Sequence, residues 1–487
     1  LMNTQRFYLY LNMTKPRELL CLSFCQSDSQ GKALSPAFLI NNIREMFPEM
    51  EIRQCGEVQD SMELLELPGI SLDYLLKGLA GEEYRDDAVF QELYSWYLQS
   101  PEYRTLVKRL TEVSFSERPS DMIGKTVAGI LYGEVSPYSA TRLERFAACA
   151  FAHFLQYGLK VTERAEYEFR AMDMGNVMHM ALEKFAAEVR KEGLDWADLT
   201  EEERNRIIDE CLDQVSADYG NTVLKSSARN EYMIERTRRI LRRTVWALQE
   251  QLKHGEFRPE GFEVKFEGGR IDRVDIMEEP EKNRVYVKVI DYKTGNTSFD
   301  MLALYHGLQL QLMIYLDGAL KVEQRKYPER EIVPAGIFYY NVKDPMIQEK
   351  IHADVERVQD QVMKKLKMNG LVQADDDVSI KIDETLASIP VSRNKDGSFS
   401  RRSSVASRQQ FNALGEYVRR KICDIRESIL DGNAAVAPYE LGKKNACTYC
   451  PYITVCGFDR KVPGYEFHRL PSFSESDLWK KIMKEDE

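Results

Sequence analysis

Val289-Ile290-Asp291-Tyr292-Lys293-Thr294-Gly295 is a short β-branched run that ends in a carboxylate, a spacer, a lysine and a turn glycine. Alternate side chains of a strand point to the same face, so Asp291 and Lys293 project together from the end of a hydrophobic strand. An Asp-x-Lys tripeptide alone says little, because its commoner fate is a structural ion pair. It gains weight from a second acidic stretch upstream, Gly269-Arg270-Ile271-Asp272-Arg273-Val274-Asp275. Two carboxylates and a lysine on neighbouring strands suit metal-assisted phosphodiester cleavage. A hard cation such as Mg²⁺ takes oxygen ligands, and an ammonium beside it stabilises charge developing on a phosphate.

The surroundings read as one unit. Strand-like runs span 262–266, 270–276 and 285–291, and Gly268-Gly269 makes a tight turn between the first two. A helix is expected over about 301–320, with Gln311 and Tyr315 on one face, and a strand over 335–341. Upstream, an apolar-periodic helix over about 175–190 carries His179 and Glu183 four apart on one face. Helix, three strands, helix, strand is a compact α/β unit with a mixed sheet. A histidine among Val177, Met178, Met180 and Leu182 is more often a packed core residue. As a third metal ligand its imidazole would suit Mn²⁺ better than Mg²⁺, with Glu183 as the fallback ligand.

A chain of 487 residues exceeds one ordinary core, so at least two domains are expected. We place the boundary between 1–135 and 136–487. No run approaches the roughly 20 apolar residues that span a bilayer, and no amino-terminal segment resembles a secretion signal, which points to the cytoplasm. The start Leu1-Met2 reads as internal, as in a fragment of a longer protein. A net charge of −11 argues against a general nucleic-acid binder. Two basic clusters remain candidate phosphate contacts: Arg236, Arg238, Arg239, Arg242 and Arg243, then Arg393, Lys395, Arg401, Arg402 and Arg408.

Residues 6–25 read as strand, turn, strand, and the next part, to about 130, as mostly helical. Residues 133–138 read as a linker or an entry strand. Ser139 then caps a helix carrying Leu143, Phe146, Phe151 and Phe154, with Cys149 inside it. Residues 200–254 and 352–370 are helical in pattern. Residues 393–408, rich in Ser, Arg, Gly and Asn, suggest a mobile loop before a helix over about 408–430.

Nine cysteines without an export signal argue against a disulfide framework. Cys21, Cys25, Cys55, Cys211 and Cys423 are scattered. Cys447-x₂-Cys450-x₅-Cys456 is different: three thiolates in ten residues, suited to Zn²⁺ or an iron–sulfur cluster. No nearby histidine completes a zinc site apart from His468, and Cys149 is the natural fourth ligand.

These motifs resemble the PD-(D/E)xK nuclease superfamily in its RecB-like branch. The match rests on 175–179, 269–275, Asp291-Tyr292-Lys293 and 311–315. The resemblance implies a restriction-endonuclease-like α/β core, with His179, Asp272, Asp291 and the backbone carbonyl of Tyr292 as metal ligands. It implies a catalytic Lys293, supported by Gln311 and Tyr315. One cysteine before these motifs and three after them resemble the AddB (RexB-like) family. There Cys149, Cys447, Cys450 and Cys456 would hold a [4Fe–4S] cluster, although Ala150 stands where that family usually has proline. The stretch from Tyr8 to Pro16 resembles the family's sixth helicase motif. Lys15-Pro16 replaces Arg-Ala there, and the chain has no GxxxxGK[ST] phosphate loop, so 1–135 would be the end of an inactive helicase-like domain plus a helical segment. The resemblance implies a Mg²⁺- or Mn²⁺-dependent single-strand DNA exonuclease within an ATP-binding helicase–nuclease heterodimer. It would pair with an AddA-like subunit, process double-strand ends for recombinational repair and cut the 5′-ended strand. A catalytically silent DNA-end-binding scaffold and a stand-alone CRISPR-associated-type Fe–S nuclease are the alternatives.

Overall fold

A computed structural model describes residues 2–26, 33–50, 52, 68–80, 88–114, 121–133, 139–164, 171–219, 227–347, 354–375, 377–461 and 464–484. Cys55 and most of the 133–138 linker lie outside these residues. The chain divides into two compact units, Leu1–Glu117 and Arg118–Glu487.

In the first unit the helices Pro68–Ala80, Ala88–Gln99 and Arg104–Ser114 close on Tyr74, Leu75, Phe90, Tyr97 and Val107. The strand pair expected over 6–25 is not formed. Met2–Thr14 is a helix, and the residues from Leu19 to Phe24 have no regular structure. The β preference of aromatic residues comes from packing on a pleated, half-buried surface. Phe7, Tyr8 and Tyr10 are more than half exposed, so nothing here decides for a strand.

The second unit is built on a six-stranded sheet in the order β1 (Arg258–Phe266), β2 (Gly269–Glu279), β3 (Arg284–Lys293), β4 (Glu331–Asn341), β5 (Asn369–Gln373) and β6 (Val405–Ala406). β3 pairs with β4 in parallel, and β2 with both β1 and β3 antiparallel, so the sheet is mixed as expected. One face carries α2 (Ala171–Lys191), α3 (Glu201–Asp218) and α4 (Ala228–Lys253). They pack Met178, Phe185, Leu212 and Leu248 over Tyr286, Ile290 and Tyr340. The other face carries α1 (Ala140–Ala148), α5 (Gln311–Lys326) and α6 (Arg408–Leu430). They cover Val285, Val287 and Val289 with Leu312, Leu316 and Leu414. β3 is buried on both faces, which is why it reads as a continuous β-branched run.

Several further expectations need correction. Cys149 is not inside a helix. It stands extended (φ −167°, ψ 116°) between α1 and a short turn at Ala150–His153. Ser139 occupies the N-cap of α1 without a side-chain capping bond. The helix expected over 301–320 is two, Met301–Tyr305 and α5, parted at Gly307 (φ +81°). The helical region expected to 370 ends at Lys365, and its tail becomes β5, where Leu371 and Val372 are buried. The segment 393–408 is held in place by the Arg393↔Phe399 bridge and the hydroxyls of Ser392, Ser400 and Ser403, and it supplies β6.

The second acid of Asp272-Arg273-Val274-Asp275 turns out to be structural. Asp275 is fully buried and accepts two bonds from Arg273, at 2.6 and 2.9 Å, with Lys288 at 3.2 Å. Burial alone would raise its pKa, but Arg273 and then Lys288 outweigh that and hold it below the usual value. The stability this brings is present above the ordinary carboxylate range and is lost as pH falls through the lowered value. Asp275→Asn leaves Arg273 and Lys288 buried without their counter-charge. It should lower the unfolding free energy by about 3–5 kcal/mol in chemical denaturation, with the gap to the wild type narrowing in acid.

Candidate active site

The last pair between β2 and β3 is Arg273↔Ile290. Asp272 and Asp291 lie one step beyond it, at the end of the sheet. Asp272 Oδ2 accepts the Tyr292 N–H at 2.8 Å, which locks the two strand ends together. His179 of α2 brings Nδ1 to 3.4 Å from the same oxygen. α2 approaches β3 closely: a Cβ at Gly175 would sit 3.3 Å from Thr294 Oγ1. The histidine ring also packs edge-on against Tyr292, with centroids 6.1 Å apart.

Lys293 connects the strand end to α5. Its Nζ lies 2.6 Å from Asp291 Oδ2 and donates to Gln311 Oε1 at 2.8 Å. Gln311 Nε2 in turn donates to the Tyr315 hydroxyl at 2.9 Å. The sequence-expected site residues are therefore brought together: His179, Asp272, Asp291, Tyr292 and Lys293 at the strand ends, Gln311 and Tyr315 behind the lysine. Glu183 is exposed and stands outside the cluster.

Charge at this site is costly. Burial, then the neighbouring Asp291, raises the Asp272 pKa well above the carboxylate range. Burial also raises Asp291, partly offset by Lys293. Burial and then Lys293 lower that of His179, which favours the neutral imidazole a metal requires.

Two residues of the site were not legible beforehand. Glu144 of α1 accepts the backbone N–H groups of Leu310 and Gln311, at 2.7 and 2.9 Å. It thus caps α5 from another helix and fixes the turn that carries Gln311. Burial pushes its pKa up to about 7. Glu263 of β1 offers a ligand atom that lies, with those of His179 and Asp272, within 4.8 Å of one another. Nothing local in the sequence marks either residue. Both meet the site through contacts across the fold.

The four cysteines also converge. Cys149, Cys447, Cys450 and Cys456 line one cavity with Phe151, Val436, Pro438, Tyr452 and Phe458. Burial pushes the Cys149 pKa up, partly offset by the nearby backbone N–H groups of Ala152 and Phe151. Burial, then the other three thiols, raise Cys447 to about 11. Four thiols in an apolar pocket with facing N–H groups fit a thiolate-bound metal centre.

Half of the residues in the two basic clusters are engaged in ion pairs. Arg238 pairs with Asp213 and Asp209, Arg242 with Asp209, and Arg239 with Asp344. Arg393 pairs with Asp377, and Arg408 with Glu331.

A sheet end bearing Asp and Asp-x-Lys, flanked by a histidine helix and a Gln-x₃-Tyr helix, is a nuclease-type arrangement. A family model of the PD-(D/E)XK nuclease superfamily matches residues 137–457, and the chain belongs to that superfamily. Among curated relatives, the B subunit of the ATP-dependent helicase/deoxyribonuclease of Lachnoclostridium phytofermentans is 38% identical over 503 residues, covering 99% of this chain and 43% of that protein. Proteins of the same name from Alkaliphilus metalliredigens and a Thermoanaerobacter species are 33% and 30% identical, each over 99% of this chain and 44% of the relative. The chain thus spans less than half the length of these relatives.

Asp272→Asn removes a charge that the metal-free site penalises. In thermal melts without divalent metal the variant should unfold at or above the wild-type temperature. Saturating Mn²⁺ should then raise the wild-type midpoint, by about 2.7 kcal/mol of stability at 100 times Kd, and leave the variant unmoved.

Proposed function

We propose that this chain is the nuclease-bearing, carboxy-terminal part of a helicase/deoxyribonuclease B-type subunit. It hydrolyses phosphodiester bonds of single-stranded DNA as an exonuclease, acting on the 5′-ended strand produced by an AddA-like partner during processing of double-strand ends. The observation that carries this reading is Lys293, held between Asp291 and Gln311 at the edge of a cluster of buried carboxylates.

His179, Asp272, Asp291 and the carbonyl of Tyr292 would hold Mg²⁺ or Mn²⁺. The fit rests on their chemistry: two buried carboxylates whose charge is penalised, and an imidazole kept neutral. A divalent cation seated there supplies Lewis acidity to the phosphate and lowers the pKa of a water that it binds. The chain's own residues do the rest. Lys293 places a positive charge where the pentacovalent phosphate develops negative charge. Gln311 and Tyr315 hold its ammonium in line, and Glu144 fixes the backbone turn beneath Gln311. Asp272, accepting from the Tyr292 N–H, keeps the β3 end in register so that the Tyr292 carbonyl stays at the site.

Cys149, Cys447, Cys450 and Cys456 would hold a [4Fe–4S] cluster that ties α1 to the tail of the unit. The convergence of four thiols on one cavity supports a shared thiolate-bound centre there. Anaerobically purified protein should be brown, with about four iron atoms per chain. A colourless protein with one zinc would refute the cluster.

Lys293→Ala should keep the wild-type melting temperature to within a few degrees and lose at least about 100-fold in cleavage rate. End-labelled single strands with Mg²⁺, with and without chelator, provide the assay. Unchanged, chelator-insensitive cleavage would overturn the assignment, and a folded wild type that binds strands without cutting them would favour the scaffold reading.

A further inference from the structure

A cavity of about 360 Å³ opens between the β1–β2 turn, α5 and α6, and none of the strand-end site residues lines it. Phe266 seats the turn on α5. Its ring covers Gly318, where a Cβ would stand 2.5 Å from Phe266 Cδ2, and it meets Tyr315 edge-on with centroids 5.9 Å apart. Tyr315 in turn accepts from Gln311, which holds Lys293. The cavity and the candidate site therefore share two elements: β2, which leaves the turn and carries Asp272, and α5.

The lining sorts by depth. Met313 and Val418 are buried, and Phe266, Ile314 and Ile422 are half-buried. The cations Lys265, Lys321, Arg325 and Arg419 are exposed around them, and Arg426 adds a fifth. Two acids, Glu267 and Asp317, stand against these five. Asp317 is already shared, with Lys321 at 2.6 Å and Arg419 at 2.9 Å, which ties α5 to α6. Lys265 and Arg325 have no ion-pair partner among the described residues. A positive lining stands out on a chain whose net charge is −11, and it selects an anionic ligand.

An apolar floor beneath a cationic rim suits a ligand with a flat apolar body and a charged edge. A nucleotide of a single strand has that build: the base packs on aromatic and apolar side chains, and the phosphates go to Lys and Arg. The volume is near the lower end of the range for small-molecule sites, about 300–1,000 Å³, so it takes roughly one nucleotide and not a peptide helix.

We propose that this cavity is a single-strand DNA subsite. It seats one nucleotide of the bound strand away from the reacting phosphate, with the base over Met313, Ile314 and Ile422 and the backbone on Lys265, Lys321, Arg325 and Arg419. The proposal rests on the nuclease reading and adds to it a place where the strand is held apart from the chemistry.

The test is fluorescence anisotropy of a labelled oligothymidylate with chelator present, so that binding is read without cleavage. Lys265→Ala combined with Arg325→Ala removes two phosphate contacts. It should weaken binding at least about 10-fold and reduce the slope of log affinity against log salt by about 1.4. Gly415, which also lines the cavity, gives a variant that blocks the floor without touching charge. A Cβ there meets nothing within 4 Å, and leucine suits a helix better than glycine. Gly415→Leu should melt no lower than the wild type and bind strands several-fold more weakly, with the wild-type salt slope. If both variants bind strands as the wild type does, the proposal is overturned and the nuclease reading, whose assay is cleavage with Mg²⁺, is spared. If only the double variant loses binding, and polyglutamate displaces the strand from the wild type as well as unlabelled DNA does, the cations serve an acidic protein and the proposal is again overturned. A wild type that neither binds nor cuts strands overturns both readings.

Discussion

Carboxylates buried side by side at the end of a sheet are the constraint on which this structure turns. Asp272 and Asp291 emerge where β2 and β3 stop pairing, beneath helices packed on both faces. Water is largely excluded, so each charge is disfavoured and each seeks a cation. Lys293 meets that demand for Asp291 on one side. The other side is left for groups that the sequence brings from far away.

The architecture can be read as a means of holding those charges. Valines on β3 pack into the core on one face, and Tyr286 and Tyr340 into the core on the other. The buried Arg273–Asp275–Lys288 triad stands on the same strands, deeper in the sheet. There buried groups of opposite charge meet one another. At the site two carboxylates lie side by side with Lys293 paired to one of them. The contrast separates a structural ion network from the candidate metal site. The thiol cavity lies at the end of α1, where Cys149 follows the helix whose Glu144 reaches α5.

Much of this was legible in the sequence because it is local. β3 reads as a strand from its β-branched run, α2 from its apolar period, and the hairpin from Gly268-Gly269. Asp272, Asp291, Lys293, Gln311 and Tyr315 follow from strand and helix periods once those elements are placed. What was missed is non-local. Glu144, which accepts the Leu310 N–H at the start of α5, stands 166 residues away in sequence. The aromatic run at 7–10 looked like a strand because β preference was read without a partner for it to pair with. The ion pairs of Arg238, Arg239 and Arg242 were not legible because their acids, Asp209, Asp213 and Asp344, are distant in sequence.

If the strand-end carboxylates are a divalent-cation site in which Lys293 serves the reacting phosphate, the cation itself should be visible there. The most direct measurement is a crystal structure of the chain soaked in Mn²⁺, with the anomalous difference map calculated at the manganese edge. A peak within about 2.0–2.3 Å of oxygens of Asp272 and Asp291 and of the Tyr292 carbonyl, with Lys293 still on Gln311, is the predicted result. A map without a peak there, with Lys293 and Asp291 in an undisturbed ion pair, would contradict it.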